Sequence, residues 1–440
     1  MERSRGRVIA PRLLEHNMAS DIPATPRVGR RYRVTALVML LLVYTFNFVD
    51  RQILGILAPT IKADLALTDT QLGLLGGLAF ALLYSTLAIP LAWLADRTSR
   101  TWVITLSLAV WSAFTALCGV ASNFAQLFAF RIGVGVGEAG GVAPSYAVIA
   151  DTFAPDRRAR ALAVYSLGIP LGSAAGVMLG GYIATSIDWR TAFIVVGVAG
   201  LVLAPVFRLC VREPVRGSDA CDREPVRRVF GILVRKPSFW LLAFGASASS
   251  MLGYGLAFWL PSLMQRSFGL DLIETAQFYG GVLLLGGVAG VLLGGVLGDR
   301  LGARDRRMYA RVPAIAFVIA VPLFAAGILS SSVTAAFVFF LVPQALAYVW
   351  LAPVITAIQH LVPGHMRATA SATFLLINNL IGLGGGSFAL GALSDGLAAH
   401  YGDEALRYAM LMGLVLYLVA ALLMWLASTP LRQDWVDQSI

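Results

Sequence analysis

Apolar runs of about twenty to thirty residues, each long enough to cross a bilayer as a helix, recur along almost the whole chain between short polar breaks. No single motif constrains the fold as strongly. In lipid, only helices and closed barrels satisfy every backbone polar group. Barrel strands would appear as short alternating segments, and these runs are too long and continuous for that. The runs predict spans at 32–60, 72–95, 102–122, 124–153, 158–186, 190–209, 238–266, 275–299, 308–330, 332–361, 366–394 and 404–428. The composition agrees: 58% hydrophobic, 13% charged, mean hydropathy +0.77.

The net charge of +10 would allow a nucleic-acid partner, but its distribution argues otherwise. Arg51 and Arg131 lie inside spans, and Lys62, Arg190, Arg266 and Arg407 fall on one side. The remaining lysines and arginines precede the first span, lie in alternate loops on the other side, or follow the last span. The positive-inside rule then puts both termini in the cytosol. The charge is explained by topology and contact with the bilayer, and no nucleic-acid role is expected. Arg3, Arg5, Arg7, Arg12, Arg27 and Arg30 precede any apolar run, so residues 1–31 read as a disordered cytosolic tail rather than a cleaved signal. Cys118, Cys210 and Cys221 imply no disulfide framework. With Lys62 and Lys236 as the only lysines, the arginine-rich usage points to a GC-rich bacterial genome and hence an inner membrane.

A basic loop, 210–237, divides the chain into bundles at 32–209 and 238–428, with a cytosolic tail at 429–440. A repeat crosses this divide. Ala92 to Arg100, containing Asp96-Arg97, is echoed by Gly295 to Arg304, containing Asp299-Arg300, and Pro155 to Arg160 is echoed by Pro363 to Arg367. Parallel repeats of this kind build alternating-access carriers whose site lies between the halves near the midplane. The expected fold class is all-α: a polytopic membrane protein with twelve transmembrane helices in two six-helix halves.

The fourth span carries Arg131, Gly133, Gly135, Gly137, Glu138, Gly140, Gly141, Pro144 and Asp151. Charges within a span cost roughly 2.5–3.5 kcal/mol each on insertion scales and so mark a working site. Arg131 and Glu138 share a helix face about 10 Å apart, too far to pair directly, and the glycines let neighbouring helices approach. Counting rise per residue, Asp50 and Arg131 lie at similar depth and are expected to face one another, with Glu138 nearer the centre. Asp50, Arg51, Arg131 and Glu138 are therefore expected to form one polar cluster on the cavity side of the first half.

The G-x-x-x-D-R-x-G-x-R pattern after spans 2 and 8 resembles the loop motif of the major facilitator superfamily, although the first copy has Ala92 and Ser99 at its glycine positions. Asn47-Phe48-Val49-Asp50-Arg51, the Arg131 to Ala139 stretch with Pro144 and Asp151, and Ile169-Pro170-Leu171-Gly172-Ser173 resemble the spinster-like lipid transporters. The resemblance implies the major facilitator fold, proton coupling near Glu138 and Asp50, and inner-side closure by the loop motif.

Burial and a neighbouring arginine act on a carboxyl in opposite directions, so such a pair can be poised to take or release a proton. Glu138, with no cation near it in sequence, is the expected proton carrier, and Asp50 the partner exchanged by Arg131 or Arg51. Those two arginines are also expected to hold a substrate phosphate or carboxylate. Asp96, Arg97, Arg100 and Asp151 are expected to gate the cytosolic end, with Arg97 reaching Asp151 and Asp96 at the amino terminus of span 11; Asp299 and Arg300 repeat the pattern. In the second half the polar candidates are Tyr254, Gln344, Tyr348 and Asn378, a charge-free wall suited to the chain of an amphiphile. Glycine ridges at 168, 172, 176 and 180 and at 286, 290 and 294 are expected to face each other across spans 5 and 8.

The sequence holds no H-E-x-x-H or G-x-S-x-G arrangement, and no lysine follows a glycine as a Walker A motif requires. No enzyme activity, ATP-driven pumping, metal or cofactor is expected. The expected function is proton-coupled transport of an anionic amphiphile such as a lysophospholipid or sphingoid phosphate by a monomer, with a carrier of small organic anions or drugs as the alternative.

Overall fold

The computed structural model describes residues 29–153, 155–213, 226–302, 304–363 and 366–436. The amino-terminal tail through residue 28, loop residues 214–225 and residues 437–440 lie outside the described residues. Among the described residues every regular element is helical. The spans are Arg30–Leu65, Asp69–Arg97, Arg100–Cys118, Phe124–Thr152, Arg160–Ser186, Trp189–Cys210, Pro237–Phe268, Leu272–Gly302, Met308–Leu329 and Val333–Gln359, followed by an apolar stretch, Thr369–Asp434, of 66 residues. As one helix that stretch would extend ~100 Å, about three bilayer thicknesses. It folds back at Gly402, whose φ of +54° favours glycine, and Gly413 of the returning helix packs on Leu390. It is therefore two spans, twelve in all. The first and last described residues, Gly29 and Val436, lie on one face, called here the terminal face; the opposite one is the far face.

Within the first half, span 1 packs on span 5, and span 3 on spans 4 and 6. The second half repeats this, with span 7 on span 11 and span 9 on spans 10 and 12. The glycine ridges each pack inside their own half and do not face each other. Gly168, Gly172 and Gly176 lie against Tyr44, Thr45 and Val49 of span 1, while Gly286, Gly290 and Gly294 lie against Gln344, Ala345 and Val349 of span 10. A ridge without side chains admits the closest backbone approach, and that approach is used inside each half. Between spans 5 and 8 the contacts are Gly181 with Ala276, Met178 with Gly280 and Pro170 with Gly287. The expected basic loop also contains a helix, Val226–Val234; Val229 and Leu233, one turn apart, are fully buried.

Several spans break near mid-depth. Span 2 breaks at Gly77, span 4 just after Glu138, and span 11 carries a π-helical turn at Asn379–Leu383. Such breaks in a membrane helix are tolerated where backbone is buried in protein or lines a cavity, and a π turn is a frequent mark of a functional site.

Candidate functional site

Four charges lie deep between spans 1 and 4. Asp50 accepts a hydrogen bond from Arg131 Nη1 at 3.3 Å and another from the Thr115 hydroxyl of span 3. Its neighbour Arg51 donates Nε to Glu138 Oε2 at 2.9 Å, and Nη2 lies 2.8 Å from the same oxygen. The expected cluster is thus brought together as two crossed ion pairs. Adjacent residues on span 1 take partners two turns apart on span 4, because successive helical side chains point about 100° apart. Asp50, Arg131 and Glu138 are 1%, 2% and 0% exposed. Glu138 Oε1, Arg131 Nε and Asn47 Oδ1 find no hydrogen-bond partner among the described residues.

Glycine makes this placement possible. A Cβ on Gly137 would strike the backbone nitrogen of Trp111 in span 3, and one on Gly135 the carbonyl of Phe80 in span 2. Span 4 therefore sits deep enough for its charges to reach span 1. The Arg51 guanidinium lies over three rings, Phe48, Phe80 and Tyr84, at 5.1, 4.8 and 4.6 Å from their centres. A weakly hydrated guanidinium suits such an aromatic surround. Arg51 and Arg131 border a small cavity of about 40 Å³ whose opposite wall is Tyr254, Phe258, Leu383 and Ser387. Tyr254 is thus where the sequence puts a cavity residue. Gln344 and Tyr348 pack beside Gly286 and Gly287, and Asn378 accepts from Ser250 at 3.0 Å; none of these three lines this cavity.

At the terminal end of the first half, Arg100 pairs with Asp151 and, at 3.2 Å, with Asp96. This corrects the pairing expected for Arg97, whose guanidinium lies 3.9 Å from the Trp93 ring centre. Arg97 ends span 2 on its outer surface, whereas Arg100 opens span 3, between Asp96 and Asp151. Asp96 is engaged by Arg100. Arg300 is exposed at the end of span 8, and the Asp299 side chain lies outside the described residues.

The far face holds a cluster absent from the expected site. Asp69 accepts from Arg266 at 2.7 and 2.8 Å, from Lys62 at 2.6 Å and from Ser394 at 2.8 Å. Asp395 accepts from the amides of Asp69 and Thr70 at 3.1 and 2.7 Å, capping span 2. Ser387 adds a bond to the Gly73 carbonyl at 2.9 Å. Together these tie spans 1 and 2 to spans 7 and 11. The Thr68-x-x-Gln71 capping box, present here, was readable as a helix start; the partners of Asp69 come from distant spans and left no local signal.

Twelve spans in two halves, joined at one face around a charged cavity, define a membrane transporter of the two-bundle kind. The chain belongs to the Major Facilitator Superfamily, whose family model matches residues 40–386, and within it to the spinster-like group. It is 36% identical over 425 residues to an MFS-type efflux pump of Mycolicibacterium smegmatis, covering 96% of this chain and 98% of that one. It is 30% identical over 408 residues to protein spinster of Drosophila melanogaster, covering 88% and 67%. Among solved structures, a bacterial homologue of the human lysosomal transporter Spinster in an inward-facing, unoccupied conformation superposes with a TM-score of 0.85 at 29% identity, over 94% of this chain and all of that one. The family and fold expected from the sequence motifs are borne out.

Proposed function

We propose that this transporter works by alternating access, coupled to protons, and moves an anionic amphiphile such as a lysophospholipid or sphingoid phosphate. The carrying observation is the double engagement of Arg51, which pairs with the fully buried Glu138 and also borders the cavity. An anionic headgroup entering the cavity competes with Glu138 for the guanidinium; a proton on Glu138 releases Arg51 to the headgroup. Asp50 and Arg131 form the second exchangeable pair behind it. The uncharged wall of Tyr254, Phe258 and Leu383 receives the apolar chain.

In this reading the bundles at 32–209 and 238–428 rock about the site, with the terminal face cytosolic in a bacterial inner membrane and the monomer as the working unit. The ties across the far face support an inward-facing reading of this conformation. Asp96, Arg100 and Asp151 form the inner gate. The name efflux pump carried by the relative matched over 98% of its length favours a second reading, export of small organic anions or drugs through the same site.

The test uses proteoliposomes with an internal pH dye, wild type against Glu138→Gln, challenged with lysophospholipids, sphingoid phosphates and small organic acids. Proton movement evoked by the lipids and lost in the variant is expected. A response to small acids alone moves the substrate to the second reading, and unchanged pH dependence in the variant removes the proton role of Glu138.

A further inference from the structure

Thr115 of span 3 is the third member of the Asp50–Arg131 contact and is fully buried. Its hydroxyl lies within hydrogen-bond reach of two acceptors: the Asp50 carboxylate and, at 2.9 Å, the Trp111 carbonyl one turn back in its own helix. A hydroxyl carries one hydrogen and two lone pairs, so it serves one of these acceptors at a time. Back-bonding to the fourth preceding carbonyl is an ordinary resting place for a helical threonine. The second acceptor comes from another span and is ionisable. The turn that presents the hydroxyl is fixed, because the Trp111 backbone nitrogen packs on Gly137 of span 4.

Asp50 has few other partners. Among the described residues its carboxylate accepts from Thr115 and Arg131 alone, and an arginine donates but never accepts. Its charged and titratable neighbours are Arg51 on its own span, Cys118 on span 3, and Arg131 and Glu138 on span 4. Span 6 meets it with Val196 and Gly197, and the glycine face of span 5 lies on Thr45 and Val49 instead. The space behind the carboxylate, bounded by Phe46, Trp111 and Ser112, leaves no room for a water. We propose that Thr115 is a positioning residue that partners Asp50 in both of its protonation states. This rests on the reading that Asp50 exchanges Arg131 during transport, taking a proton as the arginine leaves. With Asp50 ionised, Thr115 donates to the carboxylate beside Arg131. With Asp50 protonated the bond reverses: the acid O–H donates to the Thr115 oxygen, and the Thr115 hydrogen turns to the Trp111 carbonyl. One rotation about the Cβ–Oγ1 bond separates the two arrangements, and no heavy atom moves. Asp50 gains the one proton, while Thr115 keeps its own throughout. Neither state then strands a buried polar group, which is the costly outcome.

The experiment is infrared difference spectroscopy of the full-length protein in nanodiscs through a pH titration, which reads the C=O stretch of protonated buried carboxyls without any substrate. Asp50→Asn identifies the Asp50 band by removing it. For Thr115→Val the midpoint of that band is expected about one pH unit above wild type, a roughly tenfold rise in proton affinity. The sign follows because the bond lost by the carboxylate is charge-assisted and stronger than the one lost by the neutral acid. Thr115→Ser returns the hydroxyl and restores the wild-type midpoint, a rescue that a packing role for the threonine methyl would not give. A Thr115→Val midpoint at or below wild type, or a Thr115→Ser midpoint displaced as far as that of Thr115→Val, overturns the proposal and leaves the exchange at Asp50 standing. If no band is lost in Asp50→Asn over the pH range in which the protein is stable, Asp50 takes no proton, and the exchange falls together with the inference. Should Thr115→Val not accumulate as folded protein, Thr115→Ala replaces it with the same expected and overturning results.

Discussion

At the residue scale the site is governed by the cost of an unpaired charge in a dry interior. Arg51→Ala leaves Glu138 buried without its cation, whereas Arg51→Ala/Glu138→Gln removes both charges. Breaking one side of a buried pair typically costs about 3–5 kcal/mol, while replacing both is far milder. Thermal unfolding of the purified protein should therefore place the single variant well below wild type and the double variant above the single one; equal melting points would mean that the pair is not a buried unit. Depth along two spans sufficed to read the Asp50–Arg131 pairing from sequence, because rise per residue is fixed. The Arg51–Glu138 pairing was not legible, since it depends on how each helix is rotated about its axis. Glu138, read as having no cation near it in sequence, receives one from the neighbouring span.

At the element scale, glycine position decides how deeply span 4 is set. The Cβ of a Gly137→Ala variant meets the backbone of Trp111, which cannot rotate away. Overpacking of that kind costs about 1–3 kcal/mol, so a lowered melting temperature is expected, together with weaker transport as Glu138 moves away from Arg51. A melting point equal to wild type would show that span 3 yields. The presence of small-residue ridges was plain in the sequence, but the neighbour each ridge meets was not, because an identical spacing serves contacts within and between halves. The two halves also anchor their closing segments alike. As Glu213 reaches the start of span 3, Trp435 follows span 12 and stacks on Tyr309 at the start of span 9, 5.4 Å between ring centres, and on His360 at 4.4 Å.

For the whole molecule, the far-face cluster biases which conformation prevails. Asp69 holds Arg266 through both terminal nitrogens, and such forked pairs are stronger than single contacts. Arg266→Ala or Asp69→Asn should shift the population toward an open far face by about tenfold or less, the range of a 1–1.4 kcal/mol bias on a two-state equilibrium. Labels across the far face would report it as a longer distance, and an unchanged distribution would assign the closure to apolar packing such as Gly55 on Phe258. Twelve spans and their division were legible because bilayer thickness imposes a run length that composition cannot hide. The prevailing conformation was not, since two states separated by a small free energy leave the same hydrophobic pattern.

The ion pairs at the cavity are built from spans 1 and 4, with Thr115 of span 3, and the facing wall is uncharged. Such a layout makes the molecule modular in an evolutionary sense. Under the proposed mechanism, one side can be reshaped for new cargo without touching the ion pairs that carry the proton response. A chimera that joins this first half to the second half of a relative with different cargo should then inherit its pH response from one parent and its substrate range largely from the other.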